Sequence, residues 1–183
     1  MTTLCRSLNA RASQVVSLDG RIGPLQLDVS DRAAVVAFAG KPQLEASGHM
    51  TLSAPYDALG YGCSRRTPPG SFRLAPEKPF CRTIFWINAR TGRLETFFSG
   101  DPRYSETHGV RAGTVTAVAE RLLRKRVLAG CEANLYFTSP QADLTVVFAG
   151  GHVLNPSRHL VGGRVVALVL HSKRSDPGVF DCE

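Results

Sequence analysis

Two short segments rich in β-branched and aromatic residues, separated by a turn, most constrain how this chain can fold. Residues 82–88 read RTIFWIN, and residues 94–99 read LETFFS. Such side chains favour extended strands, and Gly92 between the segments suits the left-handed backbone of a tight turn. The pattern predicts an antiparallel β-hairpin.

Two amphipathic segments predict helices, and the predicted fold class is therefore α+β. The first helix follows Asp28 or Ser30, either of which can cap it, and ends at Gly40. The second begins at Thr116, carries an apolar stripe and is expected to end at Gly130. Further strands are predicted at residues 134–138, 143–149 and 164–171.

The predicted elements follow the same order twice. Each half has an extended segment, a helix, a glycine, a loop with a cysteine and then apolar strands. This order predicts two tandem helix-plus-antiparallel-sheet repeats, residues 21–105 and 106–183, after an irregular segment 1–20. A single compact domain holding both halves is the alternative.

Residues 43–80 contain many prolines and glycines, which predict a long loop with short strands. A loop of this length inside a domain is often functional or tied by a disulfide. An enzyme site near residues 55–79, with His108 or His152 close by, is therefore one hypothesis for this chain.

The spacing and sequence context of the five cysteines indicate whether the protein resides in an oxidising or a reducing compartment. They are widely spaced, mostly beside turn-rich sequence, and none has the close spacing of a metal site. We predict the disulfides Cys63–Cys81 and Cys131–Cys182, with Cys5 unpaired. Five reduced thiols in a cytoplasmic protein are the alternative.

Net charge and hydropathy indicate what kind of partner the protein could bind and whether it could span a membrane. The net charge is +7, from 22 Lys and Arg against 15 Asp and Glu, and a basic surface of this kind could bind an acidic protein, an anionic polymer or nucleic acid. No segment reaches the about 18 apolar residues of a membrane helix, and no signal peptide opens the chain. With the predicted disulfides, we expect an extracytoplasmic protein whose leader is absent from this sequence.

Motifs for catalysis and for cofactors are missing from the sequence. The histidines lack metal-site spacing, the glycine pairs fit no phosphate loop, and no cysteine lies in a nucleophile signature. We therefore assign no catalytic residue, metal or cofactor. Nucleic-acid binding is not expected either, because no binding module is recognisable.

Aromatic and arginine side chains in or near the loops are the candidate binding residues. On the hairpin, one face is expected to be core, and the other would offer an aromatic patch if it is open. Core on both faces is the alternative. The residues expected to contact a protein partner are Tyr61, Arg65, Arg66, Trp86 and Tyr104.

Residues 22–30, IGPLQLDVS, precede the first predicted helix, which Gly40-Lys41-Pro42 follows. This arrangement resembles a signature of the β-lactamase-inhibitor-like and small outer-membrane lipoprotein repeat proteins, although DVS stands where they have Gly-Met-Thr. The element LGYGC at residues 59–63 is similar to one in uncharacterised secreted actinobacterial proteins. The first resemblance implies short helices on an antiparallel sheet, with a disulfide in each repeat.

These expectations lead to one preferred function and two alternatives. The preferred function is a non-enzymatic, extracytoplasmic protein-binding module, with inhibition of a secreted enzyme as one version. The alternatives are an enzyme of unrecognised type and an envelope-assembly or structural protein.

Overall fold

The computed structural model describes residues 14–49, 55–67, 69–128 and 133–174. Of these residues, 51% lie in strands and 11% in helices. Neither of the two described helices is long and apolar enough to span a lipid bilayer.

The N-terminal part forms a small sheet with one short helix beside it. Strands β1 (Gln14–Ser17), β2 (Arg21–Ile22) and β3 (Leu25–Gln26) pair in antiparallel order. Helix α1 (Arg32–Ala39) follows, and the Asp31 carboxylate caps it by accepting a hydrogen bond from the backbone N–H of Ala34.

A large antiparallel sheet dominates the fold. From the first part of the chain it takes β4 (Leu44–His49), β5 (Pro55–Ser64), β6 (Phe72–Arg73), β7 (Phe80–Asn88) and β8 (Leu94–Ser99). β7 and β8 pair in antiparallel register, which confirms the predicted hairpin.

The second part of the chain completes both sheets. Strand β9 (Tyr104–Glu106) runs parallel to β1, and helix α2 (Thr116–Leu123) follows it. The remaining strands are β10 (Ala133–Thr138), β11 (Ala142–Ala149), β12 (His152–Leu154), β13 (His159–Val161) and β14 (Arg164–Ser172).

The strand order of the large sheet is β10-β11-β14-β8-β7-β5-β4, with β6 on β7, while β12 and β13 form a separate two-stranded sheet. Apolar side chains cover both faces of the large sheet. Phe85 and Phe97 belong to the cluster on one face, and Trp86 belongs to the cluster on the other. Burial of both faces explains the nearly continuous apolar runs of the central strands.

The predicted α+β class is wrong, and the chain is a β-rich fold. The two helices have only eight residues each. Helix α2 ends at Leu123, well before Gly130, because Arg124 adopts a left-handed conformation with φ 52°. Helices this short bury only Val35 from α1 and Thr116 and Ala119 from α2, so the sheet supplies most of the core.

The predicted pair of helix-plus-sheet repeats is also wrong. Strand β8 lies before residue 105 and pairs with β14, which lies after it, through four residue pairs from Leu168↔Ser99 to His171↔Thr96. The parallel pairing of β1 with β9 joins the two parts a second time. Backbone hydrogen bonding therefore runs through both parts of the chain as one sheet system.

Candidate functional site

The disulfide Cys63–Cys81 ties β5 to β7, and this predicted pair is confirmed. The two cysteines are direct partners in the antiparallel register. Gly60 leaves room for the bridge, because a Cβ atom there would lie 2.7 Å from the Cys81 sulfur and 3.1 Å from the Cys63 sulfur. The other predicted pair, Cys131–Cys182, and the unpaired Cys5 lie outside the described residues.

An open cavity of about 810 Å³ lies beside the disulfide. Three segments of the chain contribute to its wall: the residue before β4, the end of β5 with the residue after it, and the segment from the end of β6 to the start of β7. The polar residues that line it are Gln43, Ser64, Arg65, Arg73, Glu77 and Lys78.

Contacts within the wall hold the cavity in shape. The backbone N–H of Cys63 donates to Oε1 of Gln43 at 2.7 Å, which fixes the segment before β4 against β5. Nε of Arg73 donates to the carbonyl of Lys78 at 3.0 Å, and the guanidinium lies 4.9 Å from the centre of the Phe80 ring. Arg73 is therefore positioned before any ligand binds.

The charges of the wall favour an anion. The wall carries three cationic side chains, Arg65, Arg73 and Lys78, and one carboxylate, that of Glu77. Guanidinium groups bind carboxylates and phosphates through paired hydrogen bonds, so the cavity is chemically suited to an acidic group. Within the described residues, no three His, Cys, Asp or Glu side chains come together as a metal site would require.

A second, more open groove of about 510 Å³ lies between the start of α1, the start of β5 and the end of β7. Its charged groups have partners within the chain. Asp31 caps α1, Arg32 lies 2.6 Å from Glu45, and Asp57 accepts a hydrogen bond from Ser47 at 2.5 Å. This groove therefore offers a ligand fewer unpaired charges than the cavity beside the disulfide.

Of the predicted binding residues, Arg65 and Arg66 lie at the cavity, whereas Tyr61 packs against Phe85. Arg65 lines the cavity, and Arg66 is the next, exposed residue. Tyr61 is half-buried on β5, its hydroxyl donates to the carbonyl of Gly40 at 3.1 Å, and burial raises its pKa. The cavity thus brings Arg65 together with Arg73 and Lys78, two residues that the sequence pattern did not predict as binding residues.

The other two predicted binding residues, Trp86 and Tyr104, are core residues and present no binding patch. Trp86 is 1% exposed because Phe72 of β6 packs on it, with ring centres 5.8 Å apart. Tyr104 packs against Phe97 at 5.0 Å. The expectation of an open aromatic face fails because the segment that carries β6 folds back over the sheet.

The backbone approaches very closely where this segment crosses the sheet. A Cβ atom on Gly100 would lie 1.8 Å from the carbonyl oxygen of Gly70, and one on Gly70 would lie 2.0 Å from that of Val166. Only glycine fits at such a contact. Gly70 and Gly100 thus let the segment bearing Phe72 and Arg73 pack against the sheet beside the cavity.

The histidines proposed for an enzyme site do not line the cavity. Nδ1 of His108 lies 2.9 Å from Oε2 of the buried Glu106. Oε1 of Glu106 accepts backbone hydrogen bonds from His108 and Val110, which gives this carboxylate a structural role in its own turn. His152 is exposed on β12.

The sequence carries no clear signal for the other charged residues of the cavity. Arg73, Glu77 and Lys78 lie beside Pro76 and Pro79, within the residues predicted to form a long loop with short strands. Charged residues between prolines are typical of exposed loops, so neither their spacing nor their type predicts a shared wall.

The fold and the site define a disulfide-tied, β-rich protein with an open cationic cavity. No family model, curated protein or solved structure matches this chain. The resemblance to the inhibitor-like and lipoprotein repeat proteins therefore stays a prediction, and function is argued from the site.

Proposed function

We propose that this chain is a non-enzymatic, extracytoplasmic binding protein that takes an acidic segment of a protein partner into the cavity beside Cys63–Cys81. The observation that carries the proposal is the cavity of about 810 Å³ whose wall holds Arg65, Arg73 and Lys78 against Glu77 alone. Inhibition of a secreted enzyme is one form that such binding would take.

The chemistry of the wall supports recognition rather than catalysis. The cations lie on two separate segments of the chain, with Arg65 after β5 and with Arg73 and Lys78 between the end of β6 and the start of β7, so together they can contact several acidic groups of one peptide. Arginine is favoured at protein interfaces because its rigid fork loses little entropy per hydrogen bond. Ser64 is the lining hydroxyl, and no histidine joins it in the wall as a base would.

The disulfide supports the proposed compartment. Disulfides persist in oxidising environments and are rare in the cytoplasm. Because the Cys63–Cys81 bridge fixes the end of β5 to β7, it also holds Arg65 close to the segment that carries Arg73.

A peptide library selected on the immobilised protein tests this function. We expect enrichment of peptides rich in Asp and Glu. The double variant Arg65→Gln, Arg73→Gln should bind them at least about tenfold more weakly, because each charged hydrogen bond contributes about 1.5–3 kcal/mol.

The matched control is Arg90→Gln, Arg174→Gln, which removes the same charge from two exposed positions outside the cavity. An equal loss of affinity in both double variants would show general charge attraction and exclude the cavity as the site. A selection that enriches no acidic peptides would exclude the proposed partner chemistry.

A further inference from the structure

A second basic surface lies where α2 meets the hairpin of β12 and β13, and it consists of residues 121–128 and 151–164. We call it the hairpin surface. It has no Asp or Glu, whereas the whole chain has 15. Its cationic residues are all exposed: Arg121, Arg124, Lys125, Arg126, Arg158 and Arg164.

Large apolar side chains project among these cations. The exposed fraction is 54% for Leu128, 44% for Leu154 and 42% for Val153, and Leu122 on α2 is 37% exposed. Leu128 and Leu154 flank the same residue, His159, from its two sides in the backbone pairing. Every residue from 151 to 158 is exposed, so the hairpin projects from the body of the protein.

Hydrogen bonds to one carboxylate hold the hairpin surface together. Oε1 of Glu120 accepts the backbone N–H of Val127 at 2.7 Å and lies 2.8 Å from Nε2 of His159. The backbone N–H of Leu160 donates to the carbonyl of Val127 at 3.0 Å. Glu120 thus links α2 to the hairpin, and its carboxylate contacts Val127 and His159 of the same chain.

We propose that the hairpin surface docks on an anionic lipid bilayer. Exposed apolar side chains insert at the boundary of headgroups and acyl chains, while surrounding Arg and Lys side chains contact lipid phosphates. The surface projects, and neither cavity described above includes any of its residues. Exposed apolar side chains among cations, with no Asp or Glu between them, match the apolar interior and the anionic headgroups of such a bilayer.

This inference is independent of the proposed function, because it uses none of the cavity residues. The cavity selects an acidic peptide, whereas the hairpin surface would hold the protein at a membrane. Failure of the peptide selection would leave the membrane proposal unchanged. Failure of vesicle binding would likewise leave the proposed peptide binding unchanged.

Co-sedimentation with vesicles tests the inference. We expect the full chain to bind phosphatidylcholine vesicles that contain about one-third phosphatidylglycerol, and to bind pure phosphatidylcholine vesicles much more weakly. Raising NaCl from about 0.1 M to about 0.5 M should weaken binding, because salt screens exposed charges.

Two double variants separate the hairpin surface from general charge. Arg121→Gln, Arg158→Gln should bind about twentyfold more weakly, since each cation near an anionic surface is worth a factor of about five. The control Arg90→Gln, Arg174→Gln removes equal charge at the other end of the sheet, where β7 turns into β8 and β14 ends. Equal weakening in both variants would overturn the proposal.

Insertion is tested with apolar variants. The double variant Val153→Ser, Leu154→Ser should weaken binding at least about tenfold, whereas Val15→Ser, at a residue 44% exposed on β1, should not.

Tryptophan fluorescence tests insertion directly. The emission of the Leu154→Trp variant should shift to shorter wavelength with anionic vesicles. Binding without this shift, or binding to soluble polyglutamate but not to vesicles, would overturn insertion and assign the surface to an acidic protein.

Discussion

The role of each aromatic residue, in the core or at a binding surface, depends on whether its side chain is buried. Tyr104 directly follows Arg103 in the sequence, yet Tyr104 is only 6% exposed. Its ring centre lies 5.0 Å from that of Phe97. Burial disfavours the charged phenolate and raises the pKa of Tyr104 to about 12. This residue contributes to the stability of the protein rather than to a binding surface.

The raised pKa of Tyr104 predicts a loss of stability in alkali. Between pH about 10 and about 12 the unfolded chain releases this proton and the folded chain keeps it, so the free energy of unfolding falls. From pH about 9 to about 11, the wild type should lose about 1.4 kcal/mol more than Tyr104→Phe in urea unfolding. Tyr136→Phe, at a residue 47% exposed, is the control and should behave as wild type. Equal losses in the wild type and Tyr104→Phe would contradict the prediction.

The sequence predicts the bounds of strands that have strong patterns, but not the bounds of strands that have weak ones. The β7–β8 hairpin follows from its β-branched and aromatic residues. β4 and β5 lie within residues predicted as a long loop with short strands, because Gly48, Pro55 and Gly60 weaken the strand pattern there. Pairing of β5 with β7 along eight residue pairs, together with the disulfide, outweighs this weak local preference.

The Cys63–Cys81 bridge should contribute strongly to the stability of these paired strands. It closes a loop of 18 residues, which restricts the unfolded chain. The variant Cys63→Ala, Cys81→Ala should lower the free energy of unfolding by about 3 kcal/mol, as measured by urea titration. Peptide mapping without reductant should recover the two cysteines as one linked species, and recovery of both as free thiols would contradict the pairing.

The whole molecule is organised around the junction of β8 with β14. Apolar clusters lie on both faces of the large sheet and include residues from both parts of the chain, such as Phe85 with Leu168 on one face and Trp86 with Val169 on the other. Neither part can bury both faces of its strands alone.

Separate expression of residues 21–105 and 106–183 tests this organisation. We expect neither fragment to show a cooperative thermal transition or dispersed amide NMR signals, because each loses the β8–β14 pairing. The intact chain, prepared in the same way, is the control. A cooperative transition in either fragment would show that it folds as an independent unit.

The β7–β8 hairpin, the Cys63–Cys81 pair and the excess of basic residues can all be predicted or read from the amino-acid sequence. These features depend on neighbouring residues, on turn chemistry and on composition, which a chain carries locally. The three-dimensional packing alone shows that β6 covers Trp86 and that Arg65, Arg73 and Lys78 share one wall. Those outcomes depend on which distant segments pack together, and packing of distant segments leaves no periodic pattern in the sequence.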